Sequence, residues 1–353
     1  MGTLGGVGGE NYGNYRLVDV KYGMLDCFGR VRDCVRRMVV VGFGLAVMAP
    51  DGRAILFEGS GDPLFNTAAP TGGYEDSGWQ YLGYYGGFLG TAIAPQYFIT
   101  AQHFGLQGGT FSQDALFTGG PTVNHTIDAA ANGGLGYWDI AGSDLRVFKI
   151  EGSFASYAEI YTGSGIGAEA VMTGRGGVRG DAVLNGVGAT VGWEHTVGDG
   201  VSRWGTNLLS GTSGSGAGTQ WVAKFDGVGG TTFEAGLSAG DSGGGMFVNE
   251  GGVWKLAGVN YSIDGLFDTN GVVGDGSEFS ASMMDYGGFY QGSDGGGWTL
   301  IPDGPGDQAS GIYFSSVTAN AAAIQSIVAV PEPSGMLLIL GVLMGQFVRR
   351  RRS

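Results

Sequence analysis

Ser242 sits in Gly-Leu-Ser-Ala-Gly-Asp-Ser-Gly-Gly-Gly-Met-Phe-Val, residues 236–248, an Asp-Ser pair among glycines followed by an apolar stretch. Acyl transfer to a serine hydroxyl needs a base for its proton, a group that orients the base, and donors for the developing oxyanion. Small neighbours let backbone amides turn toward a substrate, so the amides of Gly240 and Ser242 could supply those donors. Three histidines are available as base: His103, His125 and His195. His103 is the candidate, because it follows the apolar run Thr-Ala-Ile-Ala-Pro-Gln-Tyr-Phe-Ile-Thr and stands at that strand's end in Thr-Ala-Gln-His-Phe. Two carboxylates could orient it, Asp139 in Tyr-Trp-Asp and Asp144 in Ser-Asp-Leu-Arg-Val-Phe-Lys-Ile. Asp144 is preferred, since it opens a strand that would hold it rigidly.

The elements that must position these residues are short strands and glycine turns. Residues 79–105 read as strand, turn, strand and a terminating loop, and strands are also expected over 144–150, 182–197, 244–249 and 253–263. Residues 264–310, rich in Gly and Asp, read as loops rather than as a separate domain. One helix is expected, over 315–328, where Val317, Ala321, Ile324 and Val328 recur at helical spacing behind a serine cap. Many strands with one terminal helix predict an all-β barrel or sandwich.

Composition fits that class. Glycine reaches 74 of 353 residues without a three-residue period, interleaved with β-branched and aromatic side chains, as turns between short strands require. Between residues 55 and 329 stand 7 Lys and Arg against 26 Asp and Glu, a balance that disfavours nucleic acid and anionic lipid as partners. The two cysteines, Cys27 and Cys34, lie outside that region, so its core holds by packing alone. No metal-ligand cluster and no phosphate-binding loop are evident, and no metal or other cofactor is expected.

On these residues the chain resembles the trypsin/chymotrypsin-like serine proteases. Residues 90–105 are similar to their histidine box, Asp144 to Ile150 to their aspartate motif, and Ala-Gly-Asp-Ser-Gly-Gly-Gly to their Gly-Asp-Ser-Gly-Gly core. The order His, Asp, Ser is that of chymotrypsin, with intervals of 41 and 98 residues. The resemblance runs from about Trp79 to Val328. It implies two six-stranded antiparallel barrels with a C-terminal helix, and a triad of His103, Asp144 and Ser242 in the cleft between them. Gly240 and Ser242 would form the oxyanion hole. Gly236, six residues before the serine, and Asn260, Tyr261 and Ser262 would bind substrate. Gly236 brings no carboxylate to the pocket, and neighbouring Glu234 could contribute one. Gln102, Phe104 and the Asn-Tyr-Ser stretch depart from the family pattern; Phe104 stands where many relatives carry a disulfide cysteine. In many relatives the aspartate before the serine pairs with a new N-terminus. Here a start near Ile55 would lie well before the first barrel, so Asp241 is expected to be satisfied internally, without an activating cut.

The ends read as processing signals. Residues 1–54 form a leader, with Arg30, Arg32, Arg36 and Arg37 before the apolar run 38–49, a secretory pattern. Residues 330–353 place Val-Pro-Glu-Pro-Ser before thirteen mostly apolar residues and Arg349 to Arg352; that run is shorter than the ~20 residues a membrane-spanning helix needs. This end resembles a PEP-CTERM sorting signal, which implies an exosortase-type processing partner, transient membrane contact, and delivery to the surface or extracellular matrix of a Gram-negative bacterium. The leading expectation is therefore a surface-delivered serine endopeptidase acting on polypeptide. The alternatives are a catalytically inactive adhesive or matrix-binding protein of the same fold, and an esterase using the same triad.

Overall fold

The computed structural model describes residues 55–227 and 229–329; the expected leader, 1–54, and the expected sorting signal, 330–353, lie outside the described residues. The chain is mostly β. After the short strand β1 (Leu56–Phe57) come β2 (Leu82–Tyr85), β3 (Phe88–Ala94), β4 (Tyr97–Ala101), β5 (Thr110–Gln113), β6 (Val123–Thr126), β7 (Tyr137–Asp139) and β8 (Leu145–Lys149). They form one antiparallel sheet in the order β6-β5-β2-β3-β4-β8-β7. This half-barrel curls until its arms meet at a single bridge between Ile127 and Ile150. Asp128 donates there to the Lys149 carbonyl at 2.9 Å, and Glu151 to the Thr126 carbonyl at 2.8 Å. Its interior is aromatic, with Phe98 stacked on Phe111 and Phe148 at centroid distances of 4.2 and 4.9 Å. Such rings bury large area on strands only four or five residues long.

The second half contains β9 (Glu169–Gly174), β10 (Arg179–Leu184), β11 (Thr190–His195), β12 (Arg203–Ser213), β13 (Gln220–Lys224), β14 (Ala235–Gly236), β15 (Gly245–Glu250) and β16 (Val253–Ile263). It continues with β17 (Leu266–Asp268), β18 (Glu278–Met283), β19 (Tyr290–Ser293), β20 (Gly297–Leu300) and β21 (Gly311–Ser316). Strands β12-β13-β21-β16-β15-β9 close into a six-stranded barrel, because β9 pairs with both β12 and β15. Along β13, Trp221 and Ala223 are buried while their neighbours are half-exposed, the period of two that a barrel wall imposes.

Three expectations change. Residues 264–310 are not loops: β17 to β20 join β10 and β11 in a six-stranded sheet around Val183, Val191, Phe267, Ala281, Met283 and Phe289. Strands of three to six residues among glycines leave too little periodicity to read. The stretch 182–197 is not one strand but the hairpin β10–β11, turned where Asn185 and Ala189 bond through their backbones. The helix spans Ala321–Val328 rather than beginning near Ser315, because β21 carries the chain as strand through Ser316. Asn320 precedes it and donates to the carbonyls of Ser316 and Ala217 instead of capping.

The halves share one apolar cluster. Leu82, Leu89 and Ile99 from the first pack with Val171, Trp204, Phe247 and Leu256 from the second, sealed by Val317 and Ile324. That shared core fixes the end of β4 against the turn before β15, where the candidate residues lie.

Candidate active site

His103 stands in the turn that leaves β4. The turn closes when the Gly105 amide donates to the Gln102 carbonyl at 3.0 Å, with Gly105 at φ 77°, where a side chain would be strained. It is locked onto the start of β8 three times. The Gln102 amide donates to the Asp144 carbonyl at 2.7 Å. The His103 amide donates to Asp144 Oδ1 at 2.8 Å, and the ring Nδ1 lies 2.7 Å from Oδ2. With the Nδ1 proton facing a carboxylate, Nε2 is left to accept. It meets Ser242 Oγ at 2.7 Å. Residues far apart in the chain thus form one line of hydrogen bonds, with the imidazole side chain 38% accessible and the carboxylate 12%.

Ser242 is carried by a tight turn. The Asp241 amide donates to Ser238 O at 3.1 Å and the Gly244 amide to Asp241 O at 3.2 Å, with Gly240 and Gly243 at φ 98° and 82°. Neither the Gly240 nor the Ser242 amide donates to an acceptor among the described residues. Both residues are half-buried, and two free donors beside a candidate nucleophile suit an incoming oxyanion.

Asp241 is the anchor of this turn, and its carboxylate is buried. Oδ1 accepts from the amides of Ile55 at 3.1 Å and Gly176 at 2.6 Å. Oδ2 accepts from the amides of Ile55 at 3.2 Å and Ser238 at 2.7 Å, and from Ser238 Oγ at 3.1 Å. Burial pushes the Asp241 carboxyl up to about 7, against the pull of these hydrogen bonds. The contact with Ile55 corrects the expectation that a start near that residue lies too far from the first barrel to meet Asp241. The structure brings it there across 186 residues, by pairing β1 with β14 so that Leu56 faces Gly236 and Phe57 faces Ala235. Ile55 is fully buried at φ 34°, a conformation that costs a β-branched residue dearly.

The expected substrate-binding residues are placed unequally. Tyr261 is the extra residue of a bulge in the β16–β21 ladder, between Asn260 and Ser262. Bulges re-aim side chains, and the Tyr261 ring stands edge-on to His103 at 5.9 Å. It borders two cavities. One, of about 500 Å³, is lined by Gln102, His103, Asp144, Thr219 and Gln220. The other, of about 230 Å³, lies against Leu237, Ala239, Ser242, Ser262 and Ile263. The Asn260 side chain is committed elsewhere: it is buried and donates to the Thr173 carbonyl at 2.7 Å and the Asp241 carbonyl at 2.8 Å, bracing the nucleophile turn. Gly236 is buried and lines neither cavity, and a Cβ there would meet Ser282 Oγ and Phe225. Glu234 reaches neither cavity. Asn207, Thr231 and the Asp226 amide hold its carboxylate, and burial raises its carboxyl to about 7.

Asp139, the other candidate carboxylate, pairs with Arg146 through Nε at 2.5 Å and Nη2 at 3.0 Å, away from His103. His125 bonds Gln113, and His195 bonds Ser280 and Ser282. Among the described residues no group of three or more His, Cys, Asp or Glu is arranged to hold a metal ion, and no helix is long and apolar enough to cross a membrane. No family model matches the chain, and no curated protein matches it either.

Proposed function

We propose that the chain is a serine endopeptidase of the trypsin-like type, exported by its leader and delivered to the bacterial surface or matrix by its C-terminal sorting signal. The observation that carries this reading is the Asp144–His103–Ser242 chain, with 2.7 Å at both links that involve the imidazole. Ser242 Oγ attacks the peptide carbonyl while His103 Nε2 takes its proton, and Asp144 holds the imidazole and stabilises its charge. The Gly240 and Ser242 amides receive the oxyanion. His103 returns the proton to the leaving amine, and water then repeats the sequence on the acyl-enzyme. Polypeptide lies along the clefts on either side of Tyr261.

Maturation belongs to the same reading. The leader boundary read from the sequence falls at the Ala54–Ile55 bond, and Ile55 nitrogen is the atom that meets both oxygens of Asp241. Cutting that bond turns an amide into an ammonium facing a buried carboxylate, and it removes the peptide that gives Ile55 its unfavourable φ. The export peptidase would then complete the site without a separate activator.

The test is hydrolysis of a fluorogenic peptide library by protein that begins at Ile55. Cleavage abolished by Ser242→Ala supports the proposal. Hydrolysis of activated esters without any peptide cleavage would favour an esterase.

A further inference from the structure

Phe104, the residue after His103, lies face to face with Phe88, the first residue of β3, at a centroid distance of 4.0 Å and an interplanar angle of 1°. We infer that this stacked pair is a positioning device for His103, an inference that rests on the proposed catalytic role of that histidine.

The His103 turn is anchored on one side only by hydrogen bonds, those to Asp144. On the side facing β3 no cysteine is available for a covalent tie, since both cysteines of the chain precede residue 55. The Phe104 ring supplies the link. It stacks on Phe88, stands edge-on to the His103 ring at 5.8 Å, and packs against both the core shared by the two halves and the aromatic interior of the first. It also abuts the nucleophile turn: a Cβ placed on Gly243 would lie 3.1 Å from Phe104 Cε1. One side chain therefore stands against the base itself and fills the space beside the residue that follows the candidate nucleophile.

Core formation alone does not explain the pair. Both rings keep partial exposure, and Phe88 belongs to neither apolar cluster that Phe104 touches. Its aromatic contact is the stack. A stacked aromatic pair is held by more than its area burial, and tilting the turn would forfeit that attraction. A small rotation of the turn would swing Nε2 away from Ser242 Oγ, and displacements near 1 Å in a catalytic constellation cost about 100-fold in rate.

The experiment uses Phe88→Leu and Phe104→Leu, which keep apolar bulk but lose the stack, with Phe104→Tyr as the stacking control. Each is compared with the parent protein beginning at Ile55 for kcat, KM, thermal midpoint and the low-field proton resonance of the His103–Asp144 hydrogen bond. Loss of the stack should lower kcat about 10- to 100-fold with KM nearly unchanged and broaden the resonance, while Phe104→Tyr restores both. The two leucine variants should not add, because each breaks the same contact. Leucine variants that lose thermal stability but keep kcat and a sharp resonance would overturn the inference. If the parent protein hydrolyses nothing, the endopeptidase reading fails separately. The resonance then decides alone: broadening supports positioning by the stack, and an unchanged line refutes it.

Discussion

The main-chain nitrogen of Ile55 lies 3.1 and 3.2 Å from the two carboxylate oxygens of Asp241, the residue that precedes the candidate nucleophile. As an amide it leaves that buried carboxylate without a positive partner, and the carboxyl is raised from 3.8 to about 7. A carboxyl whose folded value lies above its unfolded one contributes stability at low pH and loses it as pH rises through about 7. The loss amounts to roughly 4 kcal/mol. An Ile55 ammonium would offset it. Protein beginning at Ile55 should thus match protein with an intact Ala54–Ile55 bond near pH 4 and exceed it in thermal midpoint at pH 7. Acetylating the Ile55 amine, or adding one glycine before it, should remove that advantage and lower activity at least about 10-fold. Equal thermal midpoints at pH 7 would show that no ion pair forms.

The two aspartates offered as partners for His103 should separate cleanly. Asp144→Asn lets the imidazole adopt the wrong tautomer and should lower kcat by about 10⁴. Asp139→Asn leaves the buried Arg146 guanidinium unneutralised, with its carbon 4.3 Å above the Tyr137 ring. That change should cost about 1–3 kcal/mol of stability, the half-exposed carboxylate tempering the penalty, with kcat of the folded protein unchanged. Steady-state kinetics beside urea denaturation of both variants makes the comparison.

His195 predicts an acid limb of its own. Burial lowers it from 6.5 to about 4, so the folded protein holds it neutral between Ser280 and Ser282. A base depressed in the folded state contributes stability above 6.5 that is lost as pH falls through about 4. His195→Gln should flatten the decline of the urea midpoint between pH 6.5 and 4. Because Asp241 acts in the opposite direction over the whole of that range, the difference between variant and parent is the quantity to read.

The parts of the site that the sequence disclosed are local. His103 at a strand's end, Asp144 at a strand's start and Ser242 in a glycine turn each carry their signal within a few residues. The hidden parts depend on distant pairing. Nothing near Ile55 tells that β1 will join β14 and bring it to Asp241. Asn260, expected at the substrate, is turned inward because Thr173 and Asp241 present carbonyls to its amide. Tyr261 reaches His103 only through a bulge, a register irregularity that composition does not encode. The strands within residues 264–310 were masked by their brevity and by glycine. The β class, in contrast, is legible in the many short runs of β-branched and aromatic residues between glycine turns, while the barrels come only from the resemblance, and one of the two is a seven-stranded half-barrel.

The central claim is that His103 activates Ser242, and labelling by a fluorophosphonate probe tests it most directly. Protein spanning residues 55–329, with a free Ile55 amine, is treated with the probe beside its Ser242→Ala and His103→Ala variants. Stoichiometric labelling of the parent at Ser242, absent from both variants, is the predicted result. A well-folded parent that stays unlabelled, or one labelled equally without His103, would contradict the account and leave the fold to a binding role.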